Sequence, residues 1–404
     1  MNVVGIIAEF NPFHQGHAYM IQKAKEITCS DLAVIIMNGE FVQRGEPAVF
    51  SKYDRTKAAL EGGADLILEL PVRFGISSAG DFALGGVLAL SALGFVTHLA
   101  FGSECGDILP FQDAAAALFE ESEEFHQTLA HLLREGMSFP AARSHALTET
   151  SPIPPSLLKK PNNILGVEYC LALKKTNSPL IPVTIPRTGM GYHETFANEY
   201  EQGKKDKPSH RPEGLLSGKA PQMIVPSATA LRQKIYDSDT PHLALEDFDS
   251  ALGYALLQDS NLTRYKDISS DLADRIQHCI PDYRTIRELT GQCQTRAFTD
   301  GRIRRGLMQC LLHIEATDHT MPYLRLLGLR INNKNTGASS LLSQVPDSCH
   351  ILSRLAMDIK ILDPHALALF RQDLFAADLY RQTWCRKYNI SLPNEYQHSP
   401  IIVG

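Results

Sequence analysis

The sequence has no unbroken apolar run of about 20 residues, the length a helix needs to cross a bilayer. It also lacks a basic segment leading into an apolar one, because Met1 runs straight into a strand-like stretch. No membrane partner and a cytoplasmic location are therefore expected. The eight cysteines, Cys29, Cys105, Cys170, Cys279, Cys293, Cys310, Cys349 and Cys385, include no Cys-x-x-Cys pair and no regular spacing. That pattern offers neither a disulfide framework nor the close-spaced ligand pairs of a zinc site. The doublets His278-Cys279 and Cys349-His350 stand alone, so reduced thiols and no protein-held metal are expected. Nor is there an excess of positive charge: 39 Lys and Arg face 45 Asp and Glu, for a net charge of −6. This excludes coating of a nucleic acid by the whole chain but leaves room for a local basic face, since salt screens such fields over about 10 Å. No internal repeat is evident.

What is present is an ordinary globular composition, 404 residues with 44% hydrophobic and 21% charged. That length exceeds a single typical core, and two units are expected. Residues 2–8 form an apolar run ended by Asn11-Pro12, as suits a strand buried on both faces. A helical pattern over Ala18 to Ile27 and a strand-like run over Leu32 to Met37 complete a βαβ unit. The alternation continues with a helix near Ser51–Glu61, a strand at Asp65–Leu70, a helix near Asp81–Ala92 and a strand at His98–Phe101. The fold class predicted is α/β, a doubly wound, Rossmann-like parallel sheet.

Two or three helices are expected over Pro110–Thr148, stopped by the four prolines of Ser151–Pro161. A helix over Asn162–Lys174 and a strand over Leu180–Ile185 follow. Tyr192 to Ala220 is polar and without apolar periodicity, which predicts a mobile loop. Beyond Tyr236 helical patterns dominate, at Ala251–Gln258, Leu272–His278, Arg302–His313 and Leu352–Lys360. The expected division is a catalytic unit over 1–240 and a mainly α-helical unit over 241–404.

In a doubly wound sheet, ligands sit over the carboxyl ends of the strands. The loop after the first strand reads Glu9-Phe10-Asn11-Pro12-Phe13-His14-Gln15-Gly16-His17. Gly16 lets backbone approach a phosphate closely, and the following helix offers free N–H groups to anionic oxygens. Imidazoles at His14 and His17 can donate to triphosphate oxygens and stabilise charge as pyrophosphate leaves. An incidental pair of loop histidines would look the same. A second phosphate-handling element is offered by Ser227-Ala228-Thr229-Ala230-Leu231-Arg232, where Ser227 would cap a helix and Arg232 would reach the outer phosphates. A Ser-x-Thr helix start alone is most often a plain cap.

The two elements together resemble the HxGH signature and the late Ser/Thr-rich turn of class I nucleotidylyltransferases. The likeness narrows with Gly5 to His14, Met37 to Ala48, Gly62 to Pro71 and Phe101-Gly102-Ser103-Glu104. Pro161 to Tyr169 and Pro186-Arg187 continue it in order, and the set resembles the bacterial tRNA(Met) cytidine acetate ligase family almost end to end. That resemblance implies activation of acetate by ATP to acetyl-adenylate, then acetyl transfer to N4 of the wobble cytidine, C34, of elongator tRNA(Met). It also implies that Ile7, Ala8, Glu9, Phe10, Asn11, Pro12, Phe13, His14, Gln15, Gly16, His17, Ala18, Tyr19 and Met20 line the ATP. Gly102 would lie beneath the nucleotide, with Asn162 or its neighbour Asn163, Arg187 and Ser227 contacting it. His14, His17 and Arg232 would be the catalytic groups, and Mg²⁺ would be held mainly through the phosphates.

Among early cations Lys23, Arg44, Lys52 and Arg55, the favoured site candidates are Arg44 and Lys52, whereas Asp65 and Glu69 are expected to bond neighbouring loops. Shielding of acetyl-adenylate from water calls for a cover, for which 192–220 is a candidate. Between Arg284 and Arg305 six arginines face two acids, a local balance of +4. Within that run Arg296, Arg302, Arg304 and Arg305 are the expected RNA-phosphate contacts, against the alternative of a solvated helix face. Arg325 and Lys334 could extend the surface. Two other readings stay open: a metabolic nucleotidylyltransferase acting on a small phosphorylated substrate, and a non-catalytic nucleotide- or RNA-binding protein.

Overall fold

The structure is a computed structural model that describes residues 1–187, 227–315, 319–331 and 337–404. The expected polar loop 192–220 and Lys334 lie outside the described residues. The chain begins with β1 (Val3–Ala8), α1 (Gln15–Thr28) and β2 (Leu32–Asn38). A short antiparallel hairpin, β3 (Phe41–Val42) with β4 (Glu46–Pro47), precedes α2 (Lys52–Glu61) and β5 (Leu66–Leu70). Then come α3 (Val72–Gly75), α4 (Ala79–Ala92) and β6 (His98–Ser103). Helices α5 (Leu109–Glu120), α6 (Glu123–Arg134), α7 (Phe139–Thr150) and α8 (Pro161–Lys175) lead to β7 (Ile181–Pro186).

The helix boundaries are chemical. Ser51 and Ser78 cap α2 and α4 by accepting from the backbone N–H of Asp54 and Asp81, and Pro161 opens α8, where its missing N–H is harmless. Cys29 ends α1 in the left-handed region at φ 49°. β1, β2 and β5 are buried along nearly their whole length, as strands covered on both faces must be.

After residue 227 the described elements are α9 (Ala228–Tyr236), α10 (Asp249–Gln258), α11 (Ser270–Cys279), α12 (Ile286–Cys293) and α13 (Asp300–Leu311). They are followed by β8 (Tyr323–Arg330), α14 (Gly337–Leu342), β9 (His350–Leu352), α15 (Leu355–Asp358), α16 (Pro364–Tyr388) and β10 (Ile401–Val403). The expected helix over Leu352–Lys360 is a strand end followed by one short helix and a 3₁₀ turn. The 25-residue α16 and strands β8 and β10 are additions to what the sequence patterns predicted.

Among the described residues the main sheet has the order β10-β8-β5-β2-β1-β6-β7, with β9 also paired to β8. β7, β6, β1, β2 and β5 run parallel, whereas β8 meets β5 antiparallel, Leu66 opposite Leu329 and Glu69 opposite Arg325. The sheet therefore takes strands from well beyond residue 240. One core lies between the sheet and α4, α5 and α8, and a second packs α1 and α2 on the opposite face. A third core, built from α10 to α13, also buries Phe41, Val72 and Ile76 from the first part of the chain and Tyr380 from α16. Among the described residues no helix is long and apolar enough to cross a membrane.

Candidate adenylation site

The direction of the sheet order reverses between β1, whose successors β2 and β5 lie on one side, and β6, followed by β7 on the other. A crevice opens at such a switch point over the carboxyl ends of the strands. The loop from Glu9 to His14 lies there, joining β1 to α1. Its backbone is fixed from several directions. Phe10 adopts φ 50°, and the Asn11-Pro12 bond is cis. Asn11 Oδ1 accepts from the Val49 N–H at 2.9 Å, and the buried Arg55 donates to the carbonyls of Glu9, Asn38 and Gly39. The rings of Phe10, Phe13 and His17 pack together, with Phe10 and Phe13 edge to face at 5.0 Å.

The two histidines form the N-terminal cap of α1. His14 Nδ1 accepts from the Gly16 N–H at 3.1 Å, and His17 Nδ1 accepts from the His14 N–H at 3.2 Å. The imidazoles stack with centroids 3.7 Å apart. Burial, reinforced by the Arg187 charge, lowers the His14 pKa to about 4. Burial lowers that of His17 well below its ordinary value, with His14 and Arg187 adding to the effect. Both rings are thus neutral near pH 7. With each Nδ1 occupied as an acceptor, the ring proton is assigned to Nε2. Each histidine presents an N–H donor without adding full positive charge, suited to oxygens whose charge grows during reaction.

Cations converge on the same edge. Arg187 directly follows β7, and its N–H donates to the Ser103 carbonyl at 2.9 Å. Ser227 caps α9, its Oγ accepting from the Ala230 N–H, and Arg232 on that helix donates to the Asn11 carbonyl at 2.9 Å. The early loop and the late Ser/Thr turn, separated by over 200 residues, are therefore adjacent. Arg44 stands in the field of both Glu9 and Arg232, and burial lowers its pKa.

Gly102 lies next to the carboxyl end of β6, at the switch point. A Cβ there would meet Arg187 Cγ at 3.6 Å and Met20 Sδ at 3.8 Å, ordinary contacts that set Gly102 beside the arginine and the first helix. At the start of α8 the paired asparagines separate. Asn163 is buried, and its Oδ1 accepts from the N–H groups of Glu104 and Cys105 at 2.9 and 3.2 Å. Asn162 is less buried, and its Nδ2 donates to Glu104 Oε1 at 2.6 Å. Asn163 shapes the turn after β6, while Asn162 offers the accessible amide.

Other sequence candidates are placed elsewhere. Lys52, favoured as a site cation, is buried beneath the sheet edge between Glu69 at 2.9 Å and Glu395 at 2.9 Å. Arg325 is likewise buried and paired with Glu395, which removes it from any RNA surface. Asp65 does bond a neighbour, accepting from the Ala33 N–H at 2.8 Å and pairing with Lys25, and Glu69 likewise serves the interior.

The arginine-rich segment does not form one free basic face. Arg296 is exposed, but Arg304 is paired with Glu46 and Asp300, and Arg305 donates to Asp267 at 3.1 Å. Arg302 donates to the Asp267 carbonyl and lies over the Phe298 ring. Local sequence counts charge but does not show the distant acids that neutralise it. Arg55, named among the early cations but passed over for Arg44 and Lys52, is the staple of the loop, and Gln43, whose N–H donates to Glu9 Oε1 at 2.8 Å, was not singled out. No local pattern gives either residue its role in holding the loop.

The model of the HIGH Nucleotidyl Transferase family matches residues 1–393. The tRNA(Met) cytidine acetate ligase of Caldicellulosiruptor saccharolyticus is 32% identical, with the match covering 100% of this chain and 99% of that protein. The protein of the same name from Halothermothrix orenii is 33% identical over 94% of each chain. Among solved structures, Thermotoga maritima TmcAL bound with alpha-thio ATP superposes with a TM-score of 0.81 at 26% identity, covering 100% of this chain and 99% of that one. The apo form of the same protein gives 0.81 at 27% identity, with full coverage of both. With its stacked histidine cap and its Ser/Thr turn brought together across one crevice, the chain belongs to the HIGH nucleotidyl transferases and, within them, to the tRNA(Met) cytidine acetate ligase family.

Proposed function

We propose that this protein activates acetate with ATP and transfers the acetyl group to N4 of the wobble cytidine, C34, of elongator tRNA(Met). The observation that carries this reading is the convergence of His14, His17 and Arg232 at the switch point of the sheet. The names of the full-length relatives and the ATP analogue bound to the Thermotoga maritima protein support it.

In the first step an acetate oxygen attacks the α-phosphorus and the bond to pyrophosphate breaks. The Nε2–H groups of His14 and His17 donate to phosphate oxygens, and Arg232 with the Ser227-capped helix start steadies the outer phosphates. The segment Ile7–Met20 lines the nucleotide, with Gly102 below it and Asn162 and Arg187 at its side. No covalent enzyme intermediate is needed, since positioning and charge stabilisation suffice. Among the described residues no group of three or more His, Cys, Asp or Glu side chains is placed to hold a metal ion. A Mg²⁺ ion arriving with ATP would be held mainly through the phosphates, where it would offset charge on the leaving pyrophosphate.

In the second step the helical part of residues 241–404 holds the tRNA, with Arg296 the most accessible of the predicted phosphate contacts. The work belongs in the cytoplasm, where ATP and tRNA meet. The decisive experiment is mass spectrometry of elongator tRNA(Met) after incubation with enzyme, ATP and isotopically labelled acetate. One labelled acetyl group on the wobble cytidine is expected. Folded, ATP-binding protein that shows neither acetate-dependent ATP–pyrophosphate exchange nor tRNA acetylation would refute the reading.

A further inference from the structure

We propose, on the basis of that functional reading, that Glu9 is the general base of the transfer step and accepts the proton that the cytidine amine must lose. The amine lone pair is delocalised into the pyrimidine ring, so it becomes a competent nucleophile only as its proton departs. N4 attacks the acetyl carbonyl carbon, and the bond from that carbon to the phosphate oxygen breaks. AMP leaves with the electron pair, and the N4 proton passes to Glu9 Oε2.

The site's other groups are chemically unsuited. In each histidine Nδ1 already accepts a backbone N–H and Nε2 carries the proton, so both rings enter the step as donors. Arg187, Arg232 and Arg44 have no acceptor atom. Burial raises the Tyr169 hydroxyl well above its ordinary pKa, which keeps it protonated. The neighbouring carboxylates are engaged: Glu46 with Arg304, Glu168 with Arg143, and Glu40 and Glu69 in the buried cluster around Lys52 and Arg55.

Glu9 differs in place and in bonding. It directly follows β1 at the switch point, five residues before His14, and is half-buried. Its Oε1 is fixed by the Gln43 N–H at 2.8 Å, which sets the plane of the carboxylate, and its backbone carbonyl is held by Arg55 at 2.7 Å. Among the described residues no hydrogen bond reaches its Oε2, and Arg44 stands in its field without bonding that oxygen. A carboxylate in the loop of an anion site raises the local cost of binding triphosphate, and proton acceptance in the second half-reaction gives it a chemical use. Glu104, the other carboxylate at this edge, is exposed and already receives the Asn162 amide.

The test separates the half-reactions. In Glu9→Gln, acetate-dependent ATP–pyrophosphate exchange and single-turnover transfer from enzyme-bound acetyl-adenylate to tRNA(Met) are measured on the same full-length preparation. Gln keeps an oxygen for the Gln43 N–H but cannot take a proton. The ratio of transfer to exchange is expected to fall roughly 100-fold or more, within the 10²–10⁴ range of a general base. Glu9→Asp, which keeps a carboxylate one methylene short, should fall between wild type and Gln in that ratio. It carries the test if the Gln variant does not fold. Equal loss of both half-reactions, an unchanged ratio, or the fall appearing in Glu104→Gln instead would each overturn the assignment. Absence of exchange in wild-type protein would instead remove the underlying functional reading.

Discussion

His14 and His17 show how a backbone cap doubles as a phosphate-handling device. Their Nδ1 atoms are engaged by main-chain N–H groups, so the chemistry at Nε2 follows from the fold of four residues, 14–17. His17→Ala is expected to lower acetate-dependent exchange by about 10²–10³-fold, the usual cost of losing one oriented donor to a developing charge, while ATP binding weakens less. Exchange rate against ATP titration distinguishes the two effects. The lowered pKa values also set a pH dependence. Between about 4, the folded value of His14, and 6.5, its ordinary value, the unfolded chain binds more protons than the folded one. Stability therefore falls as pH drops from about 6.5 toward 4. Urea midpoints at pH 7 and pH 5 should show a loss in wild type that is smaller in His14→Gln.

At the scale of elements, the hairpin of β3 and β4 links the two phosphate-related regions of the chain. Gln43 holds Glu9 at one side of the turn, and at the other Glu46 meets Arg304 on α13. Gly45 sits between them at φ 72°, where a Cβ would lie 2.6 Å from the Arg304 carbonyl carbon. Gly45→Ala meets both a left-handed backbone and a backbone collision, and a destabilisation of about 1–3 kcal/mol is expected by chemical denaturation. The same contact divides the arginines. Arg296→Ala should leave the melting temperature in place while weakening tRNA binding and reducing the salt slope by about one. Arg304→Ala should lower the melting temperature, because it leaves Glu46 half-buried without its cation. Loss of tRNA affinity in Arg304→Ala with unchanged stability would show instead that Arg304 serves RNA directly. The sheet strands and longer helices up to β7 were legible because apolar runs and capping residues are local signals, whereas the β3–β4 hairpin and the short α3 were not. Ser51, Ser78 and Pro161 mark helix starts in plain sequence. The pairing of Arg304 with Glu46, across 258 residues, has no such local trace.

For the molecule as a whole, the return of the chain to its first sheet is what local patterns could not reveal. Tyr323–Arg330 reads as an apolar segment with arginines at positions 325 and 330, and nothing in it says that its neighbour is Leu66–Leu70. Its burial on the sheet explains why Arg325, placed opposite Glu69, faces the interior. There Lys52, Arg55 and Arg325 share a buried cluster with the carboxyl groups of Glu40, Glu69 and Glu395, of which burial raises Glu40 to about 7. Tyr53 completes it, its hydroxyl bonding Glu395 at 3.2 Å and its ring stacked on His398 at 3.8 Å. Such a cluster is tolerable only while complete, since removing one partner strands an opposite charge in a poorly solvated place. Glu395→Ala leaves Arg325 without a carboxylate and Lys52 with Glu69 alone, and a loss of about 3–5 kcal/mol is expected. Arg55, which holds the carbonyls of Glu9, Asn38 and Gly39, belongs to the same cluster, so the damage should reach the adenylation loop. The measurement is urea unfolding followed by exchange assays well below the unfolding midpoint. A rise in the KM for ATP in folded Glu395→Ala protein would show that the last ten residues of the chain help to shape a site built by the first twenty. An unchanged KM with lowered stability would confine their role to holding the sheet together.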